Sequence, residues 1–123
     1  MKVSIVTASM NSDKNISKCI ESVNRQTYTN LEHVFVDGGS EDKTLSKIYQ
    51  SKRPNVVISE PDNGIYHALN KGIDLASGEL IIFLHSDDVF SDDDIIEKLV
   101  EPFFNDMSLV GVYGNIKFIK RSG

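Results

Sequence analysis

Cysteine and long hydrophobic runs are nearly absent from this sequence, and each absence excludes a class of protein or site. Its 123 residues contain one cysteine, Cys19, which excludes an internal disulfide and a cysteine-based zinc site. No apolar run approaches the roughly 20 residues that are needed to span a bilayer. The first residues read directly into a strand and lack the cleavage region of a signal peptide. We therefore expect a cytoplasmic protein with one domain, residues 1–123.

Basic clusters are missing as well, because the chain has no basic stripe and no interleaving of aromatic and basic residues. A nucleic-acid partner is therefore not expected. The formal net charge of −5 has a local origin, since without one acidic block the 13 remaining acidic residues equal the 13 basic ones. That block consists of Asp87, Asp88, Asp92, Asp93 and Asp94.

Apolar runs rich in β-branched residues alternate with segments of helical periodicity. Strands are predicted at residues 3–6, 31–36, 56–58 and 80–84, with a last extended stretch at 109–119. Helices are predicted after a cap at Asn15, at residues 44–50, at 65–76 and after a capping-box pattern at 91–94. This alternation predicts an α/β fold of three layers, with a mostly parallel central sheet between helices.

Polar clusters follow four of the predicted strands, where ligands gather in open parallel sheets. They lie at residues 7–11, 37–40, 60–64 and 85–88. In the last cluster Asp87 and Asp88 emerge directly from a core strand and repel each other unless a cation neutralises them. Their oxygen ligands suit Mg2+ or Mn2+, although a polar turn explains the pair equally well. Residues 92–94 are better assigned to the first turn of the next helix, where carboxylates are stabilised.

The second cluster, Asp37 followed by Gly38 and Gly39, contains two glycines that are able to adopt positive φ. They would let the backbone approach a planar ring or a ribose, whereas the alternative is a loop that begins with an Asx-turn. The chain has neither a G-x-G-x-x-G nor a P-loop pattern. A phosphate ligand would therefore need a metal ion as its intermediary.

Three segments together resemble the inverting family 2 glycosyltransferases of GT-A fold, over their N-terminal donor-binding portion. Residues 36–44, VDGGSEDKT, resemble that family's D-G-G-S-x-D-G-T segment. Residues 59–72, SEPDNGIYHALNKG, resemble its E-P-D-x-G-I-Y-D-A-M-N-K-G segment, and residues 83–88, FLHSDD, resemble its N-[AS]-D-D form of the D-x-D motif. Three positions depart from the family's pattern. Met10 stands where the family often has an aromatic residue, His67 replaces a frequent aspartate, and His85 replaces the usual Asn or Asp.

The resemblance implies a site for the nucleotide and one for a divalent metal, Mn2+ or Mg2+. Residues 7–11 would line the nucleobase pocket, Asp37 would accept a hydrogen bond from the base, and Asp62 would hold the base or ribose. Asp87 and Asp88 would contact the ribose and the metal that bridges the diphosphate. The implied nucleotide-binding residues are Thr7, Ser9, Asn11, Asp37, Gly38, Asp62, Asn70 and Asp87, and the implied metal ligands are Asp87 and Asp88.

The implied activity is transfer of a sugar from a nucleotide-diphosphate sugar, typically UDP-linked, to an acceptor hydroxyl with inversion, in glycan or polysaccharide biosynthesis. A lipid-linked acceptor, rather than a free glycan, would bring the protein to the inner face of the membrane. No catalytic base is identified in the sequence; we expect it beyond Gly123 and expect these 123 residues alone to be inactive.

Two alternatives remain open at this stage. A non-catalytic nucleotide-binding or interaction module would keep the fold without the chemistry. A response-regulator-like domain would share the sheet and the aspartates, but it requires a lysine after a later strand, which Lys117 supplies poorly.

Overall fold

A computed structural model describes residues 1–53, 55–104, 110–113 and 116–120, and within them the chain forms one six-stranded sheet with helices packed on it. The strands are β1 (Val3–Ser9), β2 (Leu31–Asp37), β3 (Asn55–Ser59), β4 (Leu80–Phe83), β5 (Val110–Tyr113) and β6 (Ile116–Lys120). The helices are α1 (Ile16–Asn24), α2 (Thr44–Tyr49), α3 (Ile65–Leu75) and α4 (Ile95–Val100), followed by a 3-10 turn at Glu101–Phe104.

The sheet is mostly parallel, which confirms the predicted fold class. Its strand order is β3-β2-β1-β4-β6-β5, and the first four strands of the chain pair in parallel. The predicted single extended stretch at 109–119 is instead two strands, because β5 and β6 pair with each other in antiparallel fashion and β6 pairs antiparallel to β4. Leu109 lies outside the described residues.

Apolar side chains on both faces of the sheet produce the predicted three layers. One face packs against α1 and α4, where Ile5 and Ile82 meet Cys19, Val23 and Ile96. Phe35, on this same face, contacts α1 and α2 through Ile16, Ile20 and Ile48. The other face packs against α3 through Val6, Val34, Ile81, Phe83 and Ala76. Both faces of β4 are therefore buried, as its uninterrupted apolar run predicts.

The approach of α3 to the sheet depends on Gly72. A Cβ atom at this position would lie 2.3 Å from Cγ1 of Val6 and 3.4 Å from Cγ2 of Val36. Only a residue without a side chain fits there, so the helix axis comes close to β1 and β2. This packing positions the N-terminus of α3 beside the carboxyl ends of the same strands.

The predicted capping box before α4 is wrong. The helix begins at Ile95, and Asp94 at the N-cap position makes no side-chain cap hydrogen bond. The backbone N–H of Ile96 donates instead to Oε1 of Gln26 (3.1 Å), and Nε2 of Gln26 donates to the carbonyl of Asp92 (2.7 Å). A side chain from the end of α1 thus satisfies the start of α4.

Two of the three acidic residues directly before α4 form ion pairs rather than caps. Asp93 lies 3.5 Å from the guanidinium of Arg25, and Asp94 lies 3.3 Å from Nζ of Lys98 one helical turn away. Asn15 occupies the predicted N-cap position of α1, but its side chain makes no cap hydrogen bond either. In the part of the chain that the structure describes, no helix has the length and apolar character to cross a membrane.

Candidate functional site

The polar clusters after the first four strands meet at one edge of the sheet, as predicted. The backbone N–H of Gly38 donates to the carbonyl of Ser9 (2.9 Å), and that of Glu60 donates to the carbonyl of Asp37 (3.0 Å). The loops after β1 and β4 meet where Oγ of Ser12 and Oγ of Ser86 lie 2.9 Å apart. One continuous surface is therefore built from four separate segments.

Asp37 organises this edge through its side chain. Its carboxylate is buried and accepts five hydrogen bonds. Oδ1 accepts from Oγ of Ser9 (2.8 Å) and Oγ of Ser40 (2.6 Å). Oδ2 accepts from Oγ of Ser59 (2.8 Å) and from the backbone N–H groups of Ser40 (2.7 Å) and Gly39 (3.1 Å). The loops after β1 and β2 and the end of β3 are thereby joined at one charged group.

The charge on Asp37 is stabilised within the protein. Burial alone would raise the pKa of Asp37, but the hydrogen bonds from Ser40, Ser9 and Ser59 outweigh burial and hold that pKa below its ordinary value. A carboxylate offers about four lone-pair sites, and five donors already surround this one. These hydrogen bonds give Asp37 a positioning role, and the hydrogen bond that it is predicted to accept from a nucleobase stays a prediction.

The loop after β1 is positioned by its own polar groups. Asn11 has a φ of 48°, its Oδ1 accepts from the backbone N–H of Glu41 (3.0 Å), and its own N–H donates to Oγ of Ser40 (2.8 Å). Ser9 is buried and donates to Asp37. Both residues lie at the predicted site, where their side chains hold the loops in place.

Thr7 points away from solvent. Its side chain is fully buried, with Oγ1 2.7 Å from Nε2 of His33. Burial lowers the pKa of His33 to about 3, so the imidazole is neutral at physiological pH. Thr7 has no exposed surface in the structure, and its predicted contact with a nucleobase stays a prediction. Burial likewise raises the pKa of the Cys19 thiol to about 12, as expected of a structural cysteine.

A cleft of about 280 Å³ opens between the loop after β1 and the start of α3. It is lined by Ala8, Ser9, Met10, Asp62, Gly64, Ile65 and Ala68. Met10 and Ile65 contribute exposed apolar surface, and Asp62 is the only ionisable side chain among the described residues of the lining. Oδ1 of Asp62 accepts from the backbone N–H of Gly64 (3.1 Å). A mostly apolar cleft with one carboxylate suits a flat heterocycle better than a sugar.

Two features of the turn before α3 were not predicted. Gly64 adopts a φ of 110°, a conformation that side-chain-bearing residues rarely adopt. Nδ1 of His67 accepts from the backbone N–H of Asn63 (2.9 Å), so the exposed imidazole fastens the start of the helix. The order Asn-Gly before a predicted helix could have indicated the turn and its glycine conformation. The contact of the imidazole could not be predicted, because it depends on the folded turn. Asn70 is exposed farther along α3, and its side chain makes no hydrogen bond to a described residue.

Asp87 and Asp88 follow β4, with Asp87 exposed and Asp88 half-buried. The backbone N–H of Asp88 donates to the carbonyl of His85 (3.0 Å), but neither carboxylate has an ion-pair or hydrogen-bond partner among the described residues. The described residues contain no group of three side chains able to hold a metal ion. Two open carboxylates nevertheless fit Mg2+ or Mn2+ when a diphosphate completes the coordination, because such ions commonly take one or two carboxylates plus phosphate oxygens.

Comparison with known proteins identifies the fold and the family. Residues 4–122 match the model of glycosyl transferase family 2. An uncharacterized glycosyltransferase of Mycobacterium tuberculosis is 40% identical over 102 residues, which are 80% of this chain and 38% of that protein. The chain therefore spans about two fifths of the length of this relative.

Solved structures agree with the family match. TarS of S. aureus, residues 1–349 in complex with UDP-GlcNAc, superposes with a TM-score of 0.82 at 28% identity, over 94% of this chain and 36% of that one. The mannosyltransferase PcManGT of Pyrobaculum calidifontis, in complex with GDP-Man and Mn2+, has the same fold, with a TM-score of 0.87 at 19% identity over 98% of this chain and 44% of that one. The family match and the superpositions exclude the alternative of a response-regulator-like domain. The chain belongs to glycosyl transferase family 2 and has a GT-A fold.

Proposed function

We propose that this chain binds a nucleotide-diphosphate sugar, specifically a UDP-sugar, at the carboxyl edge of its sheet. The sugar is transferred from this donor to an acceptor hydroxyl with inversion at the anomeric carbon. The observation that carries the proposal is the pair of open carboxylates, Asp87 and Asp88, on a loop that contacts the cleft-forming loop through Ser86 and Ser12. The cleft accommodates a base, and the pair accommodates the charge of a diphosphate through a cation. The complex of TarS with UDP-GlcNAc supports a uridine donor.

A divalent cation, Mn2+ or Mg2+, is part of this proposal. Asp87 and Asp88 would hold it, and when bound it would neutralise charge on the departing nucleoside diphosphate. The two carboxylates repel an unaccompanied diphosphate, since like charges at this edge have no cationic side chain opposing them among their described contacts. The protein's part is to hold both carboxylates on the turn that follows buried β4, beside the cleft that would receive the base.

The other residues act as supports. Asp37, Ser9 and Asn11 fix the loops around the cleft, and Gly38 leaves space at its rim. We assign the base that deprotonates the acceptor to none of the described residues, because the Asp37 carboxylate is buried and already accepts five hydrogen bonds, and Asp87 and Asp88 would be committed to the cation. The proposed acceptor is the hydroxyl of a glycan or of a lipid-linked glycan in polysaccharide biosynthesis. A lipid-linked acceptor would be used at the membrane surface.

Calorimetry tests the metal and the donor together. UDP and UDP-GlcNAc should bind in the presence of Mn2+ and at least about tenfold more weakly in EDTA, because an unneutralised carboxylate pair opposes the diphosphate. Asp87→Ala should remove the metal dependence, whereas Asp92→Ala, a matched loss of an exposed aspartate from the same acidic block, should keep it.

Equal affinity with Mn2+ and in EDTA, or unchanged metal dependence in Asp87→Ala, would show that the pair holds no metal. A non-catalytic nucleotide-binding module predicts the same binding but no release of UDP from UDP-GlcNAc. Measuring UDP release by the full-length protein, with acceptor glycans present, separates the enzyme from the module.

A further inference from the structure

We propose that Ser12 and Thr44 are positioning residues, which hold the turn at residues 85–88, here called the acidic turn, at a fixed position relative to the cleft. They act through Ser86, the residue directly before Asp87. The inference rests on the proposed function, because it explains how the two parts of that site, the cleft and the carboxylate pair, are kept in one arrangement.

A chain of hydrogen bonds that begins at Asp42, in the loop after β2, carries this inference. Oδ1 of Asp42 accepts from the hydroxyl (2.5 Å) and from the backbone N–H (2.9 Å) of Thr44. Oδ2 of the same carboxylate accepts from the backbone N–H of Asp13 (3.2 Å). Hydrogen bonds to a charged group are stronger than those between neutral groups. One carboxylate therefore fixes the start of α2 relative to the segment before α1.

Thr44 extends the chain to Ser12. The side chain of Thr44 is fully buried, and its Oγ1 lies 2.8 Å from the backbone nitrogen of Ser12. Because a backbone N–H can only donate, Oγ1 accepts at this contact and uses its own proton for Asp42. The hydroxyl of Thr44 is thus bonded on both sides, and the direction of each bond is fixed.

Ser12 connects the cleft with the acidic turn. Its Oγ lies 2.9 Å from Oγ of Ser86, and the same hydroxyl donates to the carbonyl of Met10 (3.3 Å). Met10 lines the cleft, whereas Ser86 belongs to the turn that carries the carboxylate pair. One half-buried side chain therefore contacts both parts of the proposed site.

Two further contacts hold the acidic turn and the segment after it on α1. Sγ of Cys19 donates to the carbonyl of His85 (3.6 Å), and Oγ of Ser22 accepts from the backbone N–H of Phe90 (3.1 Å). These contacts remain when the hydroxyl of Ser86 is removed. We therefore expect the loss of that hydroxyl to change the position of the turn relative to the cleft without unfolding the turn.

A cation that bridges the carboxylate pair to a diphosphate depends on this arrangement. Groups that bind one ligand together need to be held within about 0.5 Å of the geometry that the ligand requires. The hydrogen-bond chain should therefore strengthen the binding of UDP in the presence of Mn2+ more than its binding without a metal. The quantity that reports on the chain is the ratio of the UDP affinity in Mn2+ to that in EDTA, called the metal ratio below.

Ser12→Ala, Ser86→Ala and the double variant test the contact by calorimetric titration with UDP in Mn2+ and in EDTA. Each single substitution should lower the metal ratio by about three- to tenfold, as expected for the loss of one hydrogen bond. The double variant should lose no more than the larger single loss, because both substitutions remove the same contact. Ser46→Ala removes an exposed hydroxyl, which donates to the carbonyl of Lys43 (2.9 Å), and should leave the metal ratio unchanged.

Thr44→Val and Thr44→Ser test the buried part of the chain. Valine has nearly the shape of threonine but leaves the N–H of Ser12 and the carboxylate of Asp42 without the hydroxyl, so the metal ratio should fall by about three- to tenfold. Serine keeps the hydroxyl and should restore the ratio. A lower free energy of unfolding in urea with an unchanged metal ratio would show that Thr44 is merely structural and would overturn its positioning role.

The variants of Ser12 and Ser86 decide the inference if Thr44→Val does not fold. An unchanged metal ratio in both single variants, or additive losses in the double variant, would overturn the inference and leave the proposed function intact. A wild-type chain that binds UDP equally well in Mn2+ and in EDTA would overturn the metal-bridged site, and the inference with it.

Discussion

At the scale of single residues, Asp37 shows how a buried charge becomes the structural centre of a loop cluster. Burying a carboxylate is unfavourable unless hydrogen bonds replace its water. Ser9, Ser40 and Ser59 supply three hydroxyl groups, one from each of three segments of the carboxyl edge. Each of those segments is therefore fixed relative to the others by the same negative charge.

Replacing this charge should destabilise the protein and change its response to acid. Asp37→Asn turns one acceptor oxygen into a donor that faces either hydroxyl or N–H donors, so we expect the free energy of unfolding to fall by about 2–3 kcal/mol near neutral pH. The pKa of Asp37 is lower in the folded protein than in the unfolded chain. The ionised Asp37 therefore adds its full share to the free energy of unfolding when the pH is above its pKa in the unfolded chain, about 3.9. That share is lost as the pH falls through its lower pKa in the folded protein.

Urea unfolding of both proteins at several pH values between about 7 and 3 measures this effect. The difference between wild type and Asp37→Asn should shrink toward the acid end. Asp74→Asn is the control, because Asp74 is exposed on α3 and has no hydrogen-bond or ion-pair partner among the described residues. A difference that stays constant with pH would mean that the Asp37 charge does not stabilise the fold.

At the scale of elements, the contact of α3 with β1 determines where the turn before α3 lies. Gly72 lets the helix approach until only 2.3 Å would separate a Cβ atom from Cγ1 of Val6. Val6 is buried and β-branched, so it has little freedom to move aside. The position of Asp62 relative to the strand ends thus depends on a glycine ten residues away in the helix.

Gly72→Ala tests this packing because two effects oppose each other. Alanine favours the helix by about 1 kcal/mol, whereas overpacking a close contact costs about 1–3 kcal/mol. At 2.3 Å the contact lies at the severe end, so we expect a net loss of about 1–2 kcal/mol in chemical denaturation. Asp74→Ala, at an exposed position of the same helix, should gain a few tenths of a kcal/mol instead.

A double-mutant cycle separates the clash from any other effect of the alanine. Val6→Ala removes Cγ1, so the cost of Gly72→Ala should become smaller in that background, with a coupling of about 1 kcal/mol or more. Additive losses would show that the two residues do not compete for the same space.

Local patterns predicted the elements well, and contacts between distant segments explain what they missed. The apolar run of β4 and the periodicity of α1 and α3 depend on neighbouring residues, so those elements appear where they were expected. The start of α4 was not predicted correctly, because the N–H group of Ile96 donates to Gln26, which lies 70 residues earlier in the chain. The meeting of the four polar clusters was predicted from their positions directly after strands of a parallel sheet. The burial of Asp37 was not, because it depends on Ser9 and Ser59 reaching it from other strands.

At the scale of the whole molecule, buried and open acidic residues differ in how their charges are stabilised. Near the amino edge Glu32 is buried, accepts from Oγ of Ser77 (2.8 Å) and Oγ of Ser4 (3.1 Å), and pairs with Nζ of Lys2 (3.6 Å). At the carboxyl edge the charges of Asp87 and Asp88 have no such partners among the described residues. Buried Glu32 and Asp37 are thus satisfied within the protein, whereas Asp87 and Asp88 stay open where we propose that the donor binds.

This asymmetry predicts that donor and metal stabilise the chain as one unit. Binding at loops from four strands adds RT ln(1 + [L]/Kd) to the free energy of unfolding, about 2.7 kcal/mol at one hundred times Kd. For a domain of this size, that corresponds to a rise in Tm of roughly 10 °C with UDP and Mn2+ together. Calorimetric scans should show one cooperative transition that moves as a whole, and the rise should be much smaller for UDP in EDTA or for Asp87→Ala with both ligands. Asp92→Ala should rise as far as wild type. An equal rise in EDTA would contradict the metal-bridged site, because stabilisation would then come from the base and ribose alone.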